Sequence, residues 1–408
     1  HMFFKRSDIR YLFSTRGHAM SLGITRSLAD FRRDFVGRDF AGRDFVGSAI
    51  DPDRRRGRGA GTNRSGRFEP LRRESVDDGW GGQGMDRSDK EIAFKTEVTI
   101  EKAKSIIARN DSPDISFDRS VNPYRGCEHG CAYCFARPTH AFAGLSPGLD
   151  FETKLFAKSN AAELLERELS ASGYEPRTIA MGTNTDPYQP IERTHRITRG
   201  VLEVLSRMNH PVGIVTKSAL VARDIDILAP MAAKGLAKVA ISITTLDRKL
   251  CRDLEPRAAT PEKRLETIRL LAEAGIPVTV LVAPVIPGIN DHEIEKILEA
   301  ARAAGASDAG YVLLRLPLEV RDLFREWLLE HAPGKLRHVM SLVRSTRGGK
   351  DYDASWGQRQ TGTGPFAWLV GRRFQLAADR MGFNRKRLKL RTDLFSRPDR
   401  PGDQLSLL

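Results

Sequence analysis

Arg125-Gly-Cys-Glu-His-Gly-Cys-Ala-Tyr-Cys-Phe135 sets three thiols at the spacing C-x3-C-x2-C. Cys127, Cys131 and Cys134 have no fourth cysteine nearby, and the one other cysteine is Cys251. A four-iron cubane normally takes four thiolates. Three thiolates leave one iron open, and an open position is where a metal centre binds a small molecule directly. Aromatic residues, Tyr133 and Phe135, flank the third cysteine. Two other uses of the thiols compete. A zinc site would recruit His129 or His140, but structural zinc brings paired C-x2-C knuckles or a downstream H-x3–5-H, and neither is here. A disulfide with a spare thiol needs an oxidising compartment, and no secretory h-region precedes a small-residue cleavage site.

Outward from this loop the chain changes texture. Residues 1–90 are basic and low in complexity: an Arg-Asp-Phe-x-Gly unit recurs three times across 33–47, then come Arg54-Arg55-Arg56-Gly57-Arg58-Gly59 and a Gly-rich run at 79–84. Such composition predicts disorder. From about 110, short β-rich runs alternate with amphipathic helical stretches. The expected strands are 119–125, 178–182, 212–216, 239–244, 278–283 and 311–316. Helices are expected near 160–170, 197–208, 222–234, 261–274 and 291–304. Gly235, Gly275 and Gly305 stand where left-handed C-caps are needed. Thr260-Pro261 reads as an N-cap and first turn, and Asn290 with Glu293 reads as another capping pair. Six βα alternations predict an α/β fold with a parallel sheet. A partial (β/α)6 TIM-like barrel over 110–345 fits best, and a doubly wound sheet is the alternative. A basic extension over 346–395 and an extended tether over 396–408 follow.

The net charge is +14 and lies at the two ends. Residues 1–90 hold 19 Lys and Arg against 13 acids, and 335–408 hold 16 against 6, so the middle is nearly neutral. Basic flanks on a neutral body point to a polyanionic partner, most simply nucleic acid. No apolar run has the length of a membrane-spanning helix, and a cytoplasmic location is expected. His1 ahead of Met2 reads as a cloning scar, with Met20 and Met85 as alternative starts.

In either fold, ligands bind at the C-terminal ends of the strands, and the chemistry-bearing residues fall there. Phe135 can pack on a cluster or an adenine. Thr183, Asn184 and Thr185 follow Gly182, where small polar groups suit a ligand's amine and hydroxyls. Lys217, between Thr216 and Ser218, can pair with a carboxylate. Ser242, Thr244 and Thr245 offer hydroxyls. Val285 and Ile286, in an apolar turn, can wall a base.

The cysteine motif resembles the signature of the radical-SAM superfamily. Asn122-Pro-Tyr-Arg-Gly-Cys127, Thr216-Lys217, Ile241-Ser242-Ile243, Glu255-Pro256 and Val282-Ala-Pro284 are similar to the spore photoproduct lyase-like branch. The resemblance spans about 110–345. It implies a [4Fe-4S] cluster on Cys127, Cys131 and Cys134, with S-adenosylmethionine (SAM) chelating the open iron through its amine and carboxylate. It implies Lys217 and Ser242 as SAM-binding positions, a flavodoxin- or ferredoxin-type electron donor, and repair or modification of DNA. The lyase carries a hydrogen-donor cysteine in the turn after its second strand. The corresponding turn here, 182–186, has none, and Cys251 on a helical stretch reads as a packing residue. A peptide or small-molecule substrate, or a non-catalytic metal-stabilised DNA-binding protein, are the rival readings.

Two features of the C-terminus stand apart. Residues 385–391 interleave Arg and Lys with Leu, a pattern for phosphate contact on a strand or helix. Gln404-Leu405-Ser406-Leu407-Leu408 is similar to the short peptide that binds the bacterial sliding clamp. Trp356, Phe366 and Trp368 read as core, with base stacking as the alternative.

Overall fold

The computed structural model describes residues 36–38, 44–46, 57–69, 94–386 and 388–397. Val36–Arg38 and Asp44–Val46, within the Arg-Asp-Phe-x-Gly repeats, pair antiparallel as a unit of their own. The sliding-clamp-like peptide at 404–408 and most of the 396–408 tether lie outside the described residues, as does most of 1–90.

Six strands form the body: β1 (Arg119–Val121), β2 (Ile179–Met181), β3 (Val212–Thr216), β4 (Ala237–Ser242), β5 (Val278–Val285) and β6 (Asp308–Leu313). Each pairs parallel with the next, in sequential order. A doubly wound sheet would reverse its strand order at a switch point. No reversal occurs, so the arrangement is the partial barrel. Ile107–Arg109 closes the β1 edge antiparallel.

The crossovers are α1 (Ala161–Leu169), α2 (Ile197–Arg207), α3 (Ile225–Ala233), α4 (Pro261–Glu273) and α5 (Ile294–Ala303). Their apolar faces join the strands in one core that includes Leu165, Leu202, Leu228, Ile268 and Ile297. Along β3 and β4 fully buried residues alternate with half-buried ones: Val212, Ile214 and Thr216 against Gly213 and Val215, then Val239 and Ile241 against Lys238 and Ala240. Period-two alternation puts these sets on opposite faces of the sheet. Gly213 pairs with Lys238 and Val215 with Ala240, so the half-buried set shares one face.

The expected caps divide. Gly235, Gly275 and Gly305 have φ of +72°, +76° and +104°. Thr260 Oγ accepts from the Lys263 amide at 3.4 Å, and Pro261 opens α4. Asn290 caps nothing: its Oδ1 accepts from Ile286 N and its Nδ2 donates to Thr244 O and Pro284 O. Glu293 reaches Thr245 Oγ and Leu246 N. The pair matches a capping box in spacing, but its side chains join the ends of β4 and β5.

The expected strand 119–125 is split. Pro123 cannot donate to a ladder, and beyond it Tyr124–Arg125 leaves the main sheet to pair with Lys154–Lys158. That small sheet, completed by Glu97–Glu101, aims the chain into the cysteine loop.

Two further departures concern the flanks. Within the 1–90 stretch expected to be disordered, residues 57–69 pack against the body, with Arg58, Ala60 and Thr62 buried. In the 346–395 extension, the helix α8 (Gly364–Met381) covers the last strand: Phe374 meets Tyr311 of β6 with ring centroids 4.8 Å apart, and Arg373 ion-pairs with Glu295 of α5 at 2.6 Å. Between them, α6 (Val320–His331) and α7 (Leu336–Ser345) pack on the cysteine loop and on the segments after β5 and β6. Trp356 and Trp368 are exposed, at 58% and 69%, and are not core. Among the described residues no helix is long and apolar enough to cross a membrane.

Candidate active site

The cysteine loop, 126–136, lies past β1 and is held from every side. Gly126 and Gly130 both have positive φ, +72° and +70°. A Cβ on Gly126 would lie 2.6 Å from Leu155, and one on Gly130 2.8 Å from Glu152. Both positions therefore need glycine for space as well as for conformation. Cys127 N donates to Phe151 O at 2.9 Å, Ala132 N to Leu254 O at 2.9 Å, and Arg257 N to His129 O at 3.2 Å. Gln189 accepts from Glu128 N and donates to Gly126 O.

The main pin is Arg137. It is fully buried, ion-pairs with the buried Glu152 at 2.5 Å, and donates to Cys131 O, Gly130 O, Pro147 O and Gly148 O. Glu152 in turn accepts from Gly59 N at 2.9 Å and Ala60 N at 2.8 Å. The segment 57–69 thus lies directly against the loop. A Cβ on Gly59 would fall 1.7 Å from Gly130 O, whereas one on Gly61 would meet nothing closer than 3.6 Å. Arg58 donates to Glu152 O and Phe94 O, and Thr62 Oγ to Glu326 of α6.

Across the mouth, Glu255 joins three elements. Its carboxylate accepts from Tyr133 in the loop, from Thr244 Oγ after β4 at 2.5 Å, and from Arg264 of α4. Burial works to raise Glu255, but Arg264 and Lys217 outweigh it and hold it down at about 2. Cys251 is buried against this carboxylate at 3.7 Å, and burial pushes its thiol up to about 12. It behaves as the packing residue expected.

Lys217, just past β3, is half-buried with its Nζ 5.9 Å over the Tyr133 ring. Burial works to lower its ammonium, yet Cys131 and Glu255 outweigh that and raise it. Cys131 is pushed well up by burial, with Lys217 pulling the other way and the Cys134 and Cys127 thiols adding to the rise. Cys134 is raised by burial and Cys127, while Arg137 opposes. Three soft donors gathered beside a cation fit a polynuclear thiolate cluster, which disperses their charge. Among the described residues no three His, Cys, Asp or Glu side chains converge on a single-ion site. Thiolates that take different irons of a cubane need not converge on one point.

Sequence reading missed one pair. His129, between the first two cysteines, lies 3.4 Å through Nδ1 from Asp186 Oδ2. Burial pulls His129 down, but Asp186 and the Cys127 thiol outweigh it and hold the imidazole at about 10. Asp186 also accepts from Thr216 Oγ at 2.7 Å and Lys217 N at 2.8 Å, linking the turn after β2 to the end of β3. His140 is buried against Phe151 and Phe156, and burial pushes it down to about 4. An Asp two residues before a Tyr in a Pro turn was the available signal for Asp186; its turn read as ligand contact, and the pairing with His129 did not show.

The other expected cofactor contacts fall in two classes. Thr185 Oγ donates to Tyr124 O, Ser242 Oγ and Thr244 Oγ to Ala283 O, and Thr245 Oγ to Glu293. These hydroxyls already hold protein groups. Val285 and Ile286 are fully buried in packed clusters. Thr183 and Asn184 are half-buried, with Asn184 N donating to Asn122 Oδ1. Phe135 is 43% exposed and lies under the Arg315 guanidinium at 4.9 Å, not inside the core.

The basic stretch 385–391 is neither strand nor helix where described. It belongs to a segment that crosses the opposite end of the barrel. Asn384 N donates to Ser307 O ahead of β6, Arg391 N to Gly235 O ahead of β4, and Ser396 N to Met208 O ahead of β3. Phe395 packs on His210 and Tyr174.

The family model described as the Radical SAM superfamily matches residues 121–301. An uncharacterized protein of Mycobacterium tuberculosis is 37% identical over 252 residues, covering 60% of this chain and 74% of that protein. A radical SAM Nα-GlyT isomerase of Pseudomonas phage M6 is 25% identical over 305 residues, covering 67% and 61%. Among solved structures, spore photoproduct lyase with bound AdoMet and dinucleoside spore photoproduct shares the fold, at a TM-score of 0.50, 15% identity, and coverage of 70% of this chain and 80% of that one.

Proposed function

The chain belongs to the radical SAM superfamily, and from that premise we propose that it cleaves SAM reductively at a [4Fe-4S] cluster and acts on nucleic acid, in DNA repair or modification. The observation that carries the reading is the meeting of the half-buried Lys217 with the cysteine loop at the mouth of the barrel, its Nζ over the Tyr133 ring. In this reading Cys127, Cys131 and Cys134 ligate the cluster. When bound, the cluster and SAM together supply a 5′-deoxyadenosyl radical, with the electron coming from a flavodoxin- or ferredoxin-type donor.

The residues of the chain do the placing. Lys217 is a half-buried cation held over Tyr133, which suits a methionyl carboxylate. Thr183 and Asn184 stand half-buried in the turn that leads to Asp186 and suit its amine. Ser242, whose hydroxyl is fixed by Ala283 O, offers its oxygen as an acceptor, and Val285 and Ile286 back the pocket as apolar wall. Nucleic acid as substrate is supported by the excess of positive charge at both ends of the chain and by the dinucleoside photoproduct that the fold relative binds. The turn 182–186 has no thiol, and the Cys251 thiol is held by Glu255. The lyase's thiol route to dimer splitting therefore has no donor in that turn.

The test is anaerobic reconstitution followed by assay of 5′-deoxyadenosine with undamaged DNA, ultraviolet-irradiated DNA and a tryptic peptide mixture. Formation that rises with one of the DNAs supports the reading. Formation that rises only with peptides moves the substrate class, and none at full iron loading ends the reading. Lys217→Ala should weaken SAM binding at unchanged iron content; equal affinity would misplace the pocket.

A further inference from the structure

We propose that Arg315 is the anchor for a phosphodiester of the substrate, a proposal that rests on the nucleic-acid reading above. Arg315 follows β6, the last strand of the barrel, on the same end of the strands as the cysteine loop. Its guanidinium lies 4.9 Å over the ring of Phe135, the residue directly after the third cysteine. Its Nε is buried without a partner among the described residues, and its Nη2 reaches Tyr352 Oη at 3.4 Å.

Behind it stands Arg347, 2% exposed. Arg347 donates to Leu314 O at 2.8 Å, Gln358 O at 2.9 Å and Arg359 O at 3.1 Å, and among the described residues its Nε too is buried without a partner. Carbonyl oxygens orient this cation but do not neutralise it. Burial and the charge of Arg315 both pull Arg347 down, with Tyr352 and the half-buried Asp353 opposing. The nearby Asp351 is already taken by Arg325 and Arg344. A buried guanidinium donor without an acceptor is costly, and two adjacent ones beside little negative charge call for an anion. A guanidinium fork matches phosphate oxygens two at a time. The exposed Phe135 face beside it, with Trp356 exposed in the loop that carries Gln358 and Arg359, offers stacking surface for bases.

The experiment measures binding of a fluorescein-labelled thymidine octanucleotide to the full chain by anisotropy, over a salt series from about 50 mM. Arg315→Gln should weaken binding about tenfold and lower the salt slope by about 0.7, the share of one single-strand phosphate. Arg315→Lys should keep the slope and recover part of the affinity, since it keeps the charge and loses the fork. Iron content and thermal midpoint are read on each variant. Equal affinity and slope in Arg315→Gln would overturn the anchor and leave the nucleic-acid reading standing. Weaker binding at an unchanged slope would mean that Arg315 acts only through structure, which also overturns it. No binding by the unaltered chain would overturn both. An octaglutamate peptide that binds as tightly, with the same dependence on Arg315, would overturn the phosphate assignment.

Discussion

The two ends of the barrel treat their polar groups in opposite ways. At the C-terminal end, buried charge is gathered around one loop: Arg137 on Glu152, His129 on Asp186, and Lys217 and Arg264 about Glu255. At the N-terminal end, the segment 384–397 crosses from β6 to β2 through backbone hydrogen bonds and the rings of Tyr174, His210 and Phe395. Buried ion pairs contribute little net stability over apolar packing. Their concentration at one end is better read as positioning. The loop is fixed in shape before any ligand arrives, while the floor is an ordinary closure.

If that contrast holds, the largest effects belong to the loop. Changing any one of Cys127, Cys131 or Cys134 to Ala should abolish the intact cluster in anaerobically prepared protein, while Cys251→Ala should retain it. Iron and sulfide analysis decides. A protein that loads one zinc and refuses iron would break the comparison at its root.

A finer version uses two glycines of one segment. Gly59→Ala must push Gly130 O aside, and Gly61→Ala need not. With Gly59 displaced, its amide and that of Ala60 leave Glu152, the partner of Arg137, and breaking into a buried charge network costs about 3–5 kcal/mol. Gly59→Ala should therefore lower the thermal midpoint of the apo protein and increase hydrogen exchange across 57–69, with Gly61→Ala close to the unaltered chain. Matching behaviour of the two would mean that 57–69 does not wall the loop.

The sequence made the barrel and the loop legible for different reasons. Strand and helix positions follow from periodicity, and glycines at 235, 275 and 305 announce left-handed caps that any side chain would resist. The cysteine spacing is a local pattern, so it too can be read along the chain. What stayed hidden depends on partners far apart. Glu152 is an unremarked acid until Arg137 and the Gly59 amide, 93 residues away, close on it. Asn290 and Glu293 have capping-box spacing, yet their side chains turn to β4 and β5. Residues 57–69 have the composition of a disordered tail, and only contact with Gly130 shows why small residues stand there. Ser242, Thr244 and Thr185 were legible as hydroxyls but not as hydroxyls already bonded.

The floor should give an intermediate effect, with a pH signature. Burial pushes His210 down to about 4 against an ordinary value near 6.5, and its Nε2 lies 2.8 Å from Tyr174 Oη. The folded state therefore favours the neutral ring. Its stability contribution is full above pH 6.5, falls as pH drops below that value, and is gone below about 4. The integrated loss is about 3.4 kcal/mol. Urea melts of the apo protein at pH 7 and pH 4.5, compared between the unaltered chain and His210→Phe, should show a smaller pH dependence in the variant. An equal dependence would place the acid sensitivity elsewhere.

The smallest expected effect is on nucleic acid at the basic floor segment. Its charges lie beside Gly235 and ahead of β4, whereas the cysteine loop lies past the other ends of the strands. A five-residue strand separates those ends by about 17 Å, roughly twice the screening length at physiological salt. Lys389 lies on an irregular, exposed stretch, so its charge is solvated and screened. Lys389→Gln should change octanucleotide affinity by less than about twofold, against about tenfold for Arg315→Gln. Longer duplexes, which can reach both ends, should feel the two changes more equally and show a steeper salt slope in the unaltered chain. Suppose instead that Lys389→Gln costs the octanucleotide as much as Arg315→Gln does. The binding surface would then lie on the floor, the excess charge of the C-terminal flank would mark it, and the asymmetry between the two ends would be structural alone.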